Sequence, residues 1–135
     1  MNRPDVSHAG TAGAPVADWR HYATFSPERY LGLPQANPKA YEVSSVLTYA
    51  KQLERPLLII HGTTDDNVYF LHSMKIADAL YRAGKKFELL PLSGLTHMVS
   101  DPLMTTRMYT RVGEFFDREL AGVPGSQRSS PVAVP

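Results

Sequence analysis

The sequence contains no cysteine among its 135 residues. This absence excludes disulfide bonds, thiolate nucleophiles and metal sites with sulfur ligands. Long apolar runs are also lacking, because the longest purely aliphatic run covers residues 57–60, whereas a membrane-spanning helix needs roughly 20 apolar residues. The 14 Lys and Arg balance 13 Asp and Glu, and the basic residues form only isolated pairs. We therefore expect neither a membrane nor a nucleic acid as a partner.

What is present is the composition of one modest globular domain, with 43% hydrophobic and 20% charged residues. We expect this domain to cover residues 1–120, and residues 121–135, which mix Pro, Gly, Ser and Val, to form a disordered tail. The N-terminus is polar and interrupted by Pro4, so no export signal is expected, and the compartment stays open. Histidines and carboxylates do not share the spacing of a metal site, and no metal or other cofactor is predicted.

Three short segments indicate strands, at residues 9–16, 56–60 and 86–91. The apolar run in segment 56–60 is continuous rather than alternating, which is typical of a strand covered on both faces of a parallel sheet. Segment 9–16 consists of small residues, and it favours a buried strand that helices pack closely and that ends at Pro15.

Two segments with apolar stripes at helical spacing follow the last two strands. The spacing predicts one helix over residues 70–83, which Gly84 ends, and a second that begins at Asp101 and Pro102 and continues to Gly122. Strand, helix and strand in this order form a βαβ unit. The fold class predicted is therefore α/β, with about three parallel strands and flanking helices.

Prolines divide the connection between the first two strands. Residues 18–50 contain Pro27, Pro34 and Pro38, and they are expected to form an irregular but ordered segment with short helical pieces such as residues 38–45.

Titratable side chains follow two of the predicted strands. Asp65 and Asp66 come after strand 56–60, and His97 comes after strand 86–91. The carboxyl ends of neighbouring parallel strands lie at one edge, so we expect the acidic turn and His97 to meet there. A carboxylate that accepts one imidazole N–H leaves the other ring nitrogen to act as a general base.

This order of an acid followed by a histidine matches the second half of the Ser, Asp, His order of α/β-hydrolases. The Gly-x-Ser-x-Gly turn that presents the serine does not occur, because no two glycines are four residues apart.

Three motifs in order carry a family resemblance. They are A-P-V-A-D-W at residues 14–19, E-R-Y-L-G-L at residues 28–33 and H-G-T-T-D-D-N-V-Y-F at residues 61–70, and His97 follows them. With these motifs, residues 4–120 resemble the prolyl oligopeptidase family, and most of all its dipeptidyl-peptidase-IV-like branch.

The resemblance implies catalytic roles for two residues. The family pattern Gly-x-x-Asp-x-x-Val is met by Gly62, Asp65 and Val68, so the catalytic acid corresponds to Asp65, and Asp66 is one position too late. The general base corresponds to His97.

The resemblance also implies a binding pocket. Asn67 corresponds to a residue that binds a substrate carbonyl, and the lining of a proline-accepting pocket corresponds to Trp19, Tyr22 and Val68. The branch has a second tyrosine four residues after the position of Tyr22, and this sequence has Ser26 there, which leaves the preference for proline open.

Taken together, the resemblance implies the C-terminal portion of an α/β-hydrolase fold. It implies a serine peptidase with a peptide substrate and an N-terminal half that supplies the nucleophile and a propeller; such proteins often form homodimers. We expect the chain alone to be inactive. Two alternatives stay open, an inert fragment or docking half of a split enzyme, and a portion of an esterase.

Plainer roles also fit the same side chains. Asp65, Asp66 and Asn67 are typical of turns and helix caps. His97 alone is compatible with a loop histidine bonded to the backbone, and Trp19 and Tyr22 with core aromatics. For Asp66 we prefer the turn or cap, and for His61, at the strand end, a structural role.

Overall fold

The computed structural model describes residues 4–23 and 25–123. Within this part the chain forms β1 (Gly10–Gly13), α1 (Phe25–Leu31), α2 (Pro38–Ser44), β2 (Leu57–Gly62), α3 (Leu71–Arg82), β3 (Glu88–Leu92) and α4 (Pro102–Glu119). Two 3-10 helices, Trp19–His21 and Val46–Gln52, lie in the connection between β1 and β2. The tail predicted for residues 121–135 lies, beyond Val123, outside the described residues.

The three strands form one parallel sheet in the order β1-β2-β3. Gly13 pairs with Ile60, and Gly62 pairs with Leu92, so the carboxyl ends of the strands lie at one edge. Helix α3 connects β2 to β3. The predicted α/β class with three parallel strands and flanking helices is confirmed.

Two helices cover opposite faces of β2. Ile59 packs with Ile76 and Leu80 of α3 in one core, whereas Ile60 packs with Phe115 of α4 in another. Successive side chains of a strand point to opposite faces, so the two cores lie on the two sides of the sheet. This double coverage explains the continuous apolar run of β2.

The prediction of a buried strand over residues 9–16 is wrong in length and in burial. Strand β1 has only four residues, and Thr11 and Gly13 are exposed. Among the described strands β1 pairs with β2 alone, so its small side chains lie at a sheet edge. The strand ends at Gly13, and the next residue, Ala14, has a φ of 41°, a backbone region that strains a residue with a side chain.

The predicted helix signals have their expected effect. The Asp101 carboxylate accepts the Met104 N–H at 2.9 Å at the start of α4, and Pro102 is the first helical residue. Gly84 has a φ of 65°, and its N–H and that of the following residue satisfy carbonyls at the end of α3. Helix α4 ends at Glu119, before the predicted end.

Among the described residues, none of the helices combines the length and the apolar character that a membrane span requires.

Candidate active site

The loops after β2 and β3 are held against each other by close backbone contacts. A Cβ atom on Gly62 would lie 2.3 Å from the Leu95 carbonyl oxygen, so this approach requires glycine. The Thr64 N–H donates to the same carbonyl at 3.2 Å. The Gly94 N–H donates to Thr63 Oγ1 at 2.9 Å. These contacts fix the loop that carries His97 relative to the end of β2.

The two loops bring Asp65 and His97 into direct contact. Asp65 Oδ2 lies 2.9 Å from His97 Nδ1. The Asp65 side chain is fully buried, whereas that of His97 is 32% exposed. An ionised carboxylate only accepts, so Nδ1 carries the proton, and a neutral imidazole then keeps its lone pair on Nε2. The predicted meeting of the two side chains at one sheet edge is confirmed.

Hydrogen bonds surround the Asp65 carboxylate. Oδ1 accepts the backbone N–H groups of Asn67 at 2.9 Å and Val68 at 2.8 Å, which closes the turn after β2. Burial acts to raise the pKa of Asp65, but the bonds from His97, Val68 and Asn67 outweigh it, and the pKa lies below its usual value. Asp65 is therefore ionised at neutral pH.

His61 also contacts this carboxylate. Its Nε2 lies 3.2 Å from Asp65 Oδ2 and 2.7 Å from the Val68 carbonyl oxygen, and its Nδ1 lies 2.7 Å from Ser73 Oγ. Because a carbonyl only accepts, Nε2 carries a proton, and in the neutral ring the Ser73 hydroxyl donates to Nδ1. The structural role predicted for His61 omitted this contact. A polar side chain buried at the end of an apolar strand needs a hydrogen-bond partner. This requirement was the signal in the sequence that could have predicted a buried partner for His61.

Three of the four predicted binding residues contact one another through Tyr22. The Tyr22 hydroxyl donates to Asn67 Oδ1 at 2.8 Å. The rings of Trp19 and Tyr22 meet edge to face, with centroids 5.7 Å apart. Val68 is buried. Its backbone N–H donates to Asp65 Oδ1, and its carbonyl oxygen lies 2.7 Å from His61 Nε2. Their binding roles stay predictions.

Helix α3 anchors the turn that carries Trp19. His72, buried in the first turn of α3, accepts the Ala17 N–H at Nδ1 and donates from Nε2 to the His21 carbonyl, both at 3.1 Å. Burial lowers the pKa of His72, so the ring is neutral. Asp18 caps the turn by accepting the Arg20 N–H at 3.0 Å.

A groove of about 420 Å³ opens beside His97. It lies between β1 and α4, and its lining includes Gly13, Ala14, Met98, Met108 and Tyr109. A second cavity, of about 430 Å³, lies at the opposite end of the strands, against Pro56 and Leu57. The partly exposed His97 is itself one of the residues that line this groove.

Two further expectations concern caps and metals. Asp66 is exposed on the turn after β2, in agreement with the predicted turn or cap, but it does not cap α3, which begins without a side-chain cap. Within residues 4–23 and 25–123, no group of three or more His, Cys, Asp or Glu side chains has a metal-binding arrangement.

Comparison with known proteins establishes the family. The sequence profile of the prolyl oligopeptidase family matches residues 1–123. The chain belongs to the prolyl oligopeptidase family. Its relatives in this family include bovine (Bos taurus) prolyl endopeptidase FAP, 40% identical over 109 residues that cover 78% of this chain and 14% of the relative. Bovine dipeptidyl peptidase 4 is 35% identical over 113 residues, which cover 82% of this chain and 15% of the relative.

A solved structure confirms the branch and the fold. Dipeptidyl peptidase 4 of Porphyromonas gingivalis superimposes with a TM-score of 0.79 at 36% identity, over 82% of this chain and 16% of that protein. The chain is therefore a portion of a dipeptidyl-peptidase-IV-like α/β-hydrolase domain. It spans only 14% to 16% of the length of these prolyl oligopeptidase family proteins.

Proposed function

We propose that this chain supplies the acid and the base of a serine peptidase, with Asp65 as the acid that orients His97. The observation that carries the proposal is the 2.9 Å contact between Asp65 Oδ2 and His97 Nδ1 at the edge where the strands end. Membership in the prolyl oligopeptidase family supports the same reaction class. In this chain a buried, ionised carboxylate contacts one nitrogen of a partly exposed imidazole. A general base needs this arrangement, because the carboxylate orients the ring and the exposed side can take a proton.

The reaction proceeds by acyl transfer. A serine Oγ attacks the scissile carbonyl while His97 Nε2 takes its proton, and the imidazolium then gives the proton to the leaving amine. Asp65 holds Nδ1–H and stabilises the imidazolium without taking the proton itself. Water then attacks the acyl-enzyme in the same way, with His97 as the base, and the carboxylic acid product leaves the serine. The serine comes from a segment outside this sequence, because the chain contains no Gly-x-Ser-x-Gly turn.

Substrate binding is assigned to the side chains around Asn67. Because Asn67 Oδ1 accepts from the Tyr22 hydroxyl, its amide nitrogen keeps two protons for a substrate carbonyl. Trp19, Tyr22 and Val68 line the pocket for the side chain next to the scissile bond. We take residues 1–120 as part of one hydrolase domain whose remainder supplies the nucleophile.

Complementation tests this function. The chain alone should not hydrolyse an Xaa-Pro amide with a chromogenic leaving group, because both the nucleophile and its oxyanion donors are absent. Co-expression with an upstream segment that carries Gly-x-Ser-x-Gly should restore turnover, and a serine-reactive phosphonate or His97→Ala should abolish it. Turnover by the chain alone that the phosphonate inhibits, or restored turnover that survives His97→Ala, would contradict the proposal.

A second candidate, an esterase of the same fold, is favoured by one observation. Ser26, at the start of α1, stands where the branch has a second pocket tyrosine, and so a determinant of the preference for proline is lacking. Hydrolysis of Xaa-Pro amides and of simple esters by the complemented enzyme, measured side by side, separates the two candidates.

A further inference from the structure

Four side chains form one continuous hydrogen-bonded row that runs from α3 to the exposed imidazole. Ser73 Oγ lies 2.7 Å from His61 Nδ1, and His61 Nε2 lies 3.2 Å from Asp65 Oδ2. The same oxygen lies 2.9 Å from His97 Nδ1. The first two members take no part in the reaction described above.

The inner members of this row are completely buried. Ser73 is 0% and His61 1% exposed, and the Phe70 ring meets the His61 ring edge to face with centroids 5.5 Å apart. An imidazole without water around it costs free energy unless its two nitrogens are bonded. Among the described residues, no buried side-chain nitrogen or oxygen lacks a partner. Both His61 nitrogens are thus held, and the ring cannot turn without breaking these bonds.

The donors on Asp65 define the plane of its carboxylate. The backbone N–H groups of Asn67 and Val68 hold Oδ1, while His61 and His97 share Oδ2. His97 belongs to an exposed loop and is itself the group to be oriented. The single Nε2–H of His61 is shared between the Val68 carbonyl oxygen at 2.7 Å and Asp65 Oδ2 at 3.2 Å, so a rigid, buried side chain contacts the oxygen that faces His97.

We propose that His61, held in place by Ser73, is a positioning residue that fixes the carboxylate plane of Asp65 and thereby keeps the proton of His97 on Nδ1. This inference rests on the proposed function, because it assigns His61 to the Asp65–His97 pair. It also gives the first turn of α3 a second task. Ser73 braces the acid, while the adjacent His72 holds the turn that carries Trp19.

Nuclear magnetic resonance of the full chain tests this without any turnover. Two-bond proton–nitrogen correlations at mildly alkaline pH, where imidazoles are neutral, identify the tautomer of His97, and the exchange rate of its Nδ1–H with water reports the strength of the bond. The wild type should show His97 protonated at Nδ1. In His61→Leu the exchange should become about tenfold faster or more, and the two tautomers should mix, because one of the donors that hold Oδ2 is lost.

Three further variants make the result specific. His61→Gln keeps an amide donor near the Nε2 position and should restore exchange to within about twofold of the wild type. Ser73→Ala removes the bond to His61 Nδ1 and should shift exchange in the same direction as His61→Leu. The Ser73→Ala variant also provides the test if the leucine variant does not fold. The matched control is His72→Leu, which deletes a neighbouring buried histidine that does not contact Asp65 and should leave the His97 proton unchanged.

The outcomes distinguish this inference from the proposed function. Unchanged His97 exchange and tautomer in both Ser73→Ala and His61→Leu, with native amide spectra, would overturn the role of His61 alone. An equal effect of His72→Leu would show general loosening and would overturn it too. Absence of the Nδ1–H proton in the wild type would instead contradict the Asp65–His97 contact on which the proposed function depends.

Discussion

Asp65 is the residue on which the candidate site depends, because both oxygens of its carboxylate lie within hydrogen-bond distance of N–H groups. The turn N–H groups bind Oδ1, and the two imidazoles, of His61 and His97, bind Oδ2. This arrangement stabilises the ionised form in a buried position. The same residue closes the turn after β2 and contacts the imidazole, so its geometry is compatible with both a structural and a catalytic role, and the catalytic role stays a prediction.

The lowered pKa of Asp65 predicts a loss of stability in acid. The pKa of Asp65 in the folded chain lies below the ordinary value of 3.8 that applies to the unfolded chain, so as the pH falls the unfolded state binds a proton first. The stabilisation is present above the unfolded pKa and is lost as the pH falls through the folded one. Urea unfolding at a series of pH values should show this decline, and Asp65→Asn should flatten it.

The control for this prediction is Asp78→Asn, which removes an exposed carboxylate bonded to Arg82 on the surface of α3. It should leave the acid slope almost unchanged, since exposed ion pairs contribute little to stability. An acid slope that is the same in Asp65→Asn as in the wild type would contradict the ionised, buried carboxylate.

Gly62 gives a steric prediction. In Gly62→Ala the new Cβ would meet backbone oxygens of Leu95 and Thr96, so the loops after β2 and β3 must separate, at a cost of about 1–3 kcal/mol of unfolding free energy. Gly113→Ala is the matched control, because nothing lies within 4 Å of its Cβ on α4. That variant should gain about 0.5–1 kcal/mol from helix propensity. Equal effects in urea unfolding would contradict the close approach.

At the scale of elements, α3 and α4 place the site by packing on opposite faces of β2. Their apolar stripes, the Gly84 stop and the Asp101 cap are local signals, and the sequence therefore predicts both helices to within a few residues. Burial of β1 could not be predicted in this way, because small residues suit a buried strand and a sheet edge equally. Which applies depends on the neighbours of the strand.

The same distinction explains the site. The contact between Asp65 and His97 follows from one rule, that parallel strands end at one edge. The contacts of His61 with Ser73 and of His72 with the Trp19 turn depend on how α3 rests on the sheet, and no sequence period encodes that placement. Of the two, only the buried histidine at the end of β2 carried a usable signal, its need for a partner.

The start of α4 gives a prediction at this scale. Asp101→Ala removes the acceptor of the Met104 N–H and should lower the free energy of unfolding by about 0.5–2 kcal/mol. Asp101→Asn keeps a capping oxygen and should retain most of the stability. Urea unfolding of the three proteins checks this, and an alanine variant as stable as the wild type would show that the cap contributes nothing to α4.

For the whole molecule, the chain spans 14% to 16% of the length of its dipeptidyl-peptidase-IV-like relatives, and we propose that this portion supplies the acid, the base and part of a substrate pocket. Thr11 and Gly13, the exposed residues of β1, line the same groove as His97. The function proposed here is therefore that of an assembled enzyme, and its tests need the complementing segment.

The most direct measurement is kcat of the complemented enzyme for an Xaa-Pro amide in Asp65→Asn and in Asp66→Asn. An asparagine at position 65 presents an N–H to His97 and reverses its tautomer, so kcat should fall by about 10⁴-fold. Asp66 is exposed on the same turn and has no part in the site, and its variant should retain wild-type kcat. Similar rates for the two variants would contradict the assignment of Asp65 and His97 as acid and base.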